Sequence, residues 1–257
     1  MQKNIFIKNK KGLKLAAIIE KPTGNSICPF ILFLHGFKGY KEEETYARLA
    51  SVLSDNNIGS IRFDASGFGE SEGNLENDYR FSNYVADVES VYKYLLNLPY
   101  VDKDQIGVFG HSMGGMQAIV FSANYPELKA VCIISAPNEM KAVAELGDKL
   151  EQWKKEGYLN LKSSKYGKFK IPYSFFEDTK KWRMTDFIKK VNCPLLFILG
   201  LADTTVPPEQ TRQIFSLAKQ PKKLLEIENM GHFYKKDYEM LNYINQITLK
   251  YFLKQLL

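Results

Sequence analysis

Residues Val108–Ala118 read VFGHSMGGMQA, an apolar run that ends in Gly110-His111-Ser112-Met113-Gly114 and passes directly into a segment of helical composition. The five residues match G-x-S-x-G, and their place between a strand-like run and a helix-like run is the context in which a serine is held on a sharp turn. Glycine two positions either side lets strand and helix approach without a Cβ clash. Ser112 is therefore the candidate nucleophile. Serine is a weak nucleophile at neutral pH and needs a base, and the chain holds three histidines. His111 adjoins Ser112, but the turn directs its side chain elsewhere. His35, in FLHGF, ends an earlier apolar run. His232, in ENMGHFYKKD, follows the last strand-like run and is the expected base.

An imidazole acting as base needs a carboxylate to fix its tautomer and stabilise its charged form. Asp203, in LFILGLADTTVPPE, lies after one strand-like run and before a helix start at Pro207, and an aspartate there could also cap that helix. Asp64, in RFDASGFGES, is the second candidate; its small neighbours read as tight-turn chemistry. A developing oxyanion needs donors, and backbone amides suffice. Met113, at the start of its helix, supplies one. The loop HGFKGYKEE supplies the other, expected from Phe37.

Outward from this stretch the chain keeps a rhythm. Strand-length apolar runs recur at NIFIK, LKLAAIIE, FILFLHG, SIRFDAS, QIGVFGHS, KAVCIISA, PLLFILG and KLLEIE, with helix-length stretches at about 42–56, 80–98, 113–125, 208–218 and 236–256. Near-continuous apolar strands alternating with amphipathic helices predict an α/β fold with a mostly parallel eight-stranded sheet and helices on both faces. The first two runs, joined at KNKKG, predict an antiparallel edge hairpin. Between CIISAP and NCPLLFILG lie almost fifty residues where one helix would serve. The excess predicts a single domain over 1–257 carrying an inserted cap at about 137–185, partly helical over 139–155. Its aromatic residues are either local core or the wall of a site, and Trp153, Tyr173 and Phe176 are the expected substrate contacts.

Composition adds bounds. Hydrophobic residues at 45% and charged residues at 25% suit a globular protein. The N-terminal residues lack a signal-peptide core and no run is long enough to span a bilayer, so a cytoplasmic protein without membrane contact is expected. Cys28, Cys132 and Cys193 lack metal-ligand spacing and read as buried reduced thiols. Of the net charge of +6, most lies between Pro137 and Lys190, with 13 Lys and Arg against 8 Asp and Glu. No nucleic-acid-binding motif accompanies it, so no nucleic-acid partner is expected.

Five landmarks in order, HGF, RFDASGFGES, GHSMGG, GLADTTVP and MGHF, resemble the α/β-hydrolase superfamily over nearly the whole chain. Within it the sequence is similar to small bacterial serine esterases, including cinnamoyl (feruloyl) esterases, which also carry HGF and a cap. The resemblance implies an α/β-hydrolase fold with Ser112 as nucleophile, His232 as base, Asp203 as orienting acid, and the amides of Phe37 and Met113 as an oxyanion hole. It implies a serine carboxylic ester hydrolase acting through an acyl-enzyme, with no cofactor or metal. Thioesterase, amidase and peptidase activities stay open, as do a non-catalytic binding protein and a scaffold for acidic partners. The expected partner is a small-molecule ester with a small to medium acyl chain or an aromatic, cinnamoyl-type acyl group, and a negatively charged part is left open. A homodimer is left open.

Overall fold

The computed structural model of the protein describes residues 1–24, 26–163 and 165–257. Its strands, in chain order, are β1 (Gln2–Lys8), β2 (Lys14–Glu20), β3 (Cys28–Leu34), β4 (Gly59–Phe63), β5 (Val101–His111), β6 (Ala130–Ile134), β7 (Tyr158–Ser163), β8 (Gly167–Pro172), β9 (Leu195–Gly200) and β10 (Lys222–Ile227). Eight of them form one sheet in the order β1-β2-β4-β3-β5-β6-β9-β10, while β7 and β8 pair separately as an antiparallel hairpin. β1 and β2 form the expected edge hairpin, and every pair from β4 to β10 is parallel.

Alternation along the strands assigns the two faces, because successive side chains point to opposite sides. Ile31, Phe33, Phe109 and Ile134 pack in one cluster, under α1 (Glu44–Asp55) and the C-terminal helix; Phe30, Leu32, Val108 and Ile133 pack in the other, under α2 (Phe81–Leu96) and α3 (Met113–Asn124). Burial on both faces explains why these strands read as continuous apolar runs. The remaining helices are α4 (Ala144–Gly147), α5 (Leu150–Glu156), α6 (Tyr173–Thr179), α7 (Met184–Phe187), α8 (Pro208–Leu217) and α9 (Tyr238–Leu256). Among the described residues, no helix is long and apolar enough to cross a membrane.

The sheet places a crevice. From β3 the chain runs outward to β4 on one side, then crosses back to β5 on the other. The loops leaving the carboxyl ends of β3 and β5 therefore diverge, and ligands in open α/β sheets bind where strand order reverses in this way. Phe37 lies on the first loop and Ser112 on the second.

The insert occupies the interval between β6 and β9. The helix read over 139–155 is broken into a 3₁₀ turn at Met140–Ala142, then α4, then α5. A tertiary bond accounts for the first break: Val143 is extended, and the Ala144 amide donates to the Thr205 carbonyl at 3.0 Å instead of continuing a helix. The insert is tied to the sheet's edge at several points. Glu145 meets Lys38 at 2.6 Å, Asp178 accepts from the Ser82 amide at 2.8 Å, and Phe175 packs on Phe37 with ring centroids 5.2 Å apart.

Candidate active site

Ser112 sits between β5 and α3 with φ 58° and ψ −123°, a backbone conformation that costs on the order of 1–3 kcal/mol for a residue with a Cβ. Its amide is held by the Ile134 carbonyl at 2.8 Å. The flanking glycines are required sterically. A Cβ on Gly110 would stand 2.2 Å from the Gly114 carbonyl oxygen, and one on Gly114 would stand 1.9 Å from the Leu34 carbonyl oxygen. The second contact is with β3, so Gly114 also sets how closely α3 approaches the strand that carries the Phe37 loop.

The structure brings Ser112, His232 and Asp203 together. His232 Nε2 lies 3.0 Å from Ser112 Oγ, and His232 Nδ1 lies 2.7 Å from Asp203 Oδ2. All three are buried. The other carboxylate oxygen, Asp203 Oδ1, accepts the amides of Thr205 at 2.9 Å and Val206 at 2.8 Å. Capping the segment before α8 and meeting the histidine are thus done by different oxygens of one side chain. Gly200 lets the two loops meet: a Cβ there would fall 1.9 Å from the Met230 carbonyl oxygen, two residues before His232.

Asp64 has a different task. It is fully buried, accepts from the Lys41 amide at 2.7 Å and the Glu70 amide at 3.0 Å, and pairs with Lys41 Nζ at 3.1 Å. Burial opposes the Lys41 charge, but Glu70 and Asp64 outweigh it and raise the lysine's pKa. Asp64 therefore ties the loop after β4 to the loop after β3.

The Phe37 and Met113 amides find no acceptor among the described residues. The Gly36–Phe37 peptide is fixed from behind. His35 Nε2 accepts from the Ala65 amide at 3.1 Å, so Nδ1 carries the ring's proton and donates to the Gly36 carbonyl at 2.8 Å; the Gly39 amide donates to the same oxygen at 3.0 Å. Burial lowers the His35 pKa, which keeps this tautomer neutral. Because the peptide is planar, holding the Gly36 oxygen also fixes the direction of the Phe37 N–H.

A cavity of about 310 Å³ opens beside Ser112. His111, Tyr46 and Tyr234 line it, and Lys38, Lys162, Lys235 and Lys236 are also in its wall. Burial pushes the His111 pKa well below the usual imidazole value and the Tyr234 pKa well above that of a free phenol, so both are uncharged at neutral pH. Trp153, Tyr173 and Phe176, expected as substrate contacts, do not line this cavity. They extend the core that packs on the sheet face under α2 and α3 into the insert: Trp153 is 0% exposed, donates from Nε1 to the Ile171 carbonyl at 3.0 Å, and packs its ring 6.0 Å from Tyr173 and 5.8 Å from Phe176. The insert's contribution to the cavity is instead Lys162 and Ser163, from β7. Strict alternation in YLNLKS, exposed then buried, was the available signal for that strand.

Cys28, Cys132 and Cys193 are free and buried; burial raises the thiol pKa of Cys193 to about 11 and that of Cys132 to about 12. Among the described residues, no group of three or more His, Cys, Asp or Glu side chains is placed to hold a metal.

The sheet order, the strained serine turn and the late histidine loop define an α/β hydrolase. The Hydrolase_4 family profile, described as serine aminopeptidase, S33, matches residues 26–166, more than half of the chain, and the chain belongs to that family. It is 25% identical over 256 residues to an Escherichia coli protein known as the uncharacterized 31.7 kDa protein in the traX-finO intergenic region, across 85% of this chain and 88% of that protein. It is 26% identical over 193 residues to the human mitochondrial palmitoyl-protein thioesterase ABHD10, across 72% of this chain and 60% of that protein. Among solved structures, Est1E from Butyrivibrio proteoclasticus with bound ferulic acid superposes with a TM-score of 0.79 at 24% identity, covering 98% of both chains. That last likeness is one of fold.

Proposed function

We propose that this hydrolase cleaves carboxylic esters through an acyl-enzyme on Ser112. The observation that carries the reading is the continuous chain from Ser112 Oγ through both nitrogens of His232 to Asp203, at 3.0 and 2.7 Å. Ser112 attacks the carbonyl while His232 takes its proton. The Phe37 and Met113 amides receive the developing oxyanion, and His232 returns the proton to the leaving alcohol. Water, activated by the same imidazole, then attacks the acyl-enzyme, releasing the acid and restoring Ser112. In this reading the insert serves as a cap that walls one side of the site.

Thioesters are the second substrate class, favoured by the similarity to the human palmitoyl-protein thioesterase. The test is turnover of p-nitrophenyl esters from acetate to decanoate, with methyl ferulate and the matching thioesters, by wild type and Ser112→Ala. Turnover by wild type that falls at least 10³-fold in the variant is expected. Equal rates in the two proteins would refute the role of Ser112.

A further inference from the structure

The charged wall of the Ser112 cavity is one-sided. Lys38, Lys162, Lys235 and Lys236 line it against Glu43 alone. Two of these lysines are engaged: Lys38 Nζ meets Glu145 at 2.6 Å and Lys235 Nζ meets Glu43 at 2.5 Å. Among the described residues, neither Lys162 nor Lys236 has an acidic partner within salt-bridge distance. Each comes from a different element, Lys162 from β7 and Lys236 from the 3₁₀ turn Tyr234–Lys236 that follows His232. A charged side chain at a cavity wall is ordinarily just a solvated residue; Lys236 Nζ lies 5.6 Å from the Phe233 ring centroid, and for Lys162 a second observation decides against that account.

Lys162 stands directly opposite Lys168 in the antiparallel β7–β8 pair. Residues directly opposite share a face, and like charges so placed destabilise the pair. Lys170 is exposed on the same face of β8, two residues along. A second recess beside the first is lined by Lys149, Lys162, Lys168 and Lys170 with one acid, Glu145, which already meets Lys38. Lys162 thus belongs to both recesses, and positive charge continues from Ser112 onto the hairpin. Stability alone would favour an acid opposite Lys162; a local rule broken without a compensating contact points to a ligand.

We propose that the site selects acyl substrates bearing an anionic group, a carboxylate or a phosphate, and that Lys162 and Lys236 are the specificity-determining residues that receive it. The inference rests on the ester or thioester hydrolysis proposed above and names its substrate class. Cations along a cleft with apolar walls concentrate anions and strengthen their binding. A carboxylate on the acyl part would lie between Lys162 and Lys236. A phosphate on the leaving part would lie at Lys162 on its other side, where Lys168 and Lys170 adjoin it.

The test is calorimetric binding to Ser112→Ala, which separates recognition from turnover. Two matched pairs serve as probes: methyl butyrate against monomethyl glutarate, and S-butyryl-N-acetylcysteamine against butyryl-coenzyme A. We expect the anionic member of at least one pair to bind at least tenfold tighter at low salt. That preference should shrink in 0.5 M NaCl and fall at least fivefold when Lys162→Gln and Lys236→Gln are added together. A preference in the first pair places the anion on the acyl part, and one in the second places it on the leaving part. Equal affinities in both pairs, or a preference that both substitutions leave intact, overturn the proposal. Hydrolysis of methyl butyrate and the neutral thioester by the wild-type protein reports separately on the underlying activity, so the two failures cannot be confused.

Discussion

At the carboxyl edge of the sheet, position is set by backbone. Ser112 is held by its own amide and by glycines whose replacement would drive a Cβ into carbonyl oxygens at 2.2 and 1.9 Å. Asp203 is held by two loop amides and Phe37 by the carbonyl of the residue before it. In the insert, apart from the Ala144–Thr205 backbone bond, position is set mainly by side chains: Trp153, Phe175 and Phe176 stack as an aromatic extension of the sheet's core, and an ion pair and a carboxylate bind the insert to the edge. Backbone contacts tolerate little displacement, whereas side-chain packing tolerates substitution as long as volume is kept. The difference teaches where chemistry and where selectivity can each be altered without disturbing the other.

The largest expected effect is at the edge. Asp203→Asn can keep the Thr205 and Val206 amides on its carbonyl oxygen but presents an amide group to His232 and favours the wrong imidazole tautomer. Its kcat on the best ester of the series should fall on the order of 10³–10⁴-fold with the melting temperature little changed; a loss below tenfold would separate Asp203 from the chemistry. Next is the insert. Trp153→Ala removes a fully buried ring and should cost about 3–5 kcal/mol in denaturant unfolding, yet change kcat on a short neutral ester less than tenfold, because Trp153 does not line the cavity. A kcat loss as large as that of Asp203→Asn would erase the distinction between the two regions.

The smallest effect concerns the group beneath the edge. Burial depresses the His35 pKa in the folded chain. Above about pH 6.5 the ring is neutral in both states; as the pH falls below that value the unfolded chain takes up a proton that the folded one excludes. Stability should therefore decline toward acid, with His35 contributing at most about 1.4 kcal/mol per pH unit until the folded group titrates. Unfolding of His35→Gln between pH 7 and 5 should show a shallower acid slope than wild type. An unchanged slope would mean that His35 does not carry this pH dependence.

The same contrast governs what could be read from the sequence. The eight-stranded α/β architecture, its edge hairpin and the α/β-hydrolase class were legible, because two-sided burial writes itself as apolar runs and the serine turn as paired glycines. The approach of Ser112, His232 and Asp203 followed from residue types at strand ends in chain order. The insert was not legible in the same way. Its aromatic residues suit local core and site contacts alike, because periodicity cannot tell a ring that faces a ligand from one that faces another ring; Trp153 and Phe176 face each other. The break in the helix over 139–155 depends on Thr205, some sixty residues away, which no local pattern records. Lys162 was hidden for the opposite reason. As one lysine among 13 basic residues between Pro137 and Lys190, it becomes distinctive only once its register against Lys168 is known.

The Gly36–Phe37 peptide works as a rigid lever. Its carbonyl end is gripped by His35 Nδ1 and the Gly39 amide, so its N–H end is already aimed when the chain finishes folding. Water would have to reorient around a newly formed negative charge at the moment of reaction, whereas this dipole has completed its reorientation beforehand. In the proposed reaction, a buried imidazole that never meets the substrate would thus lower the barrier by being locked in one tautomer.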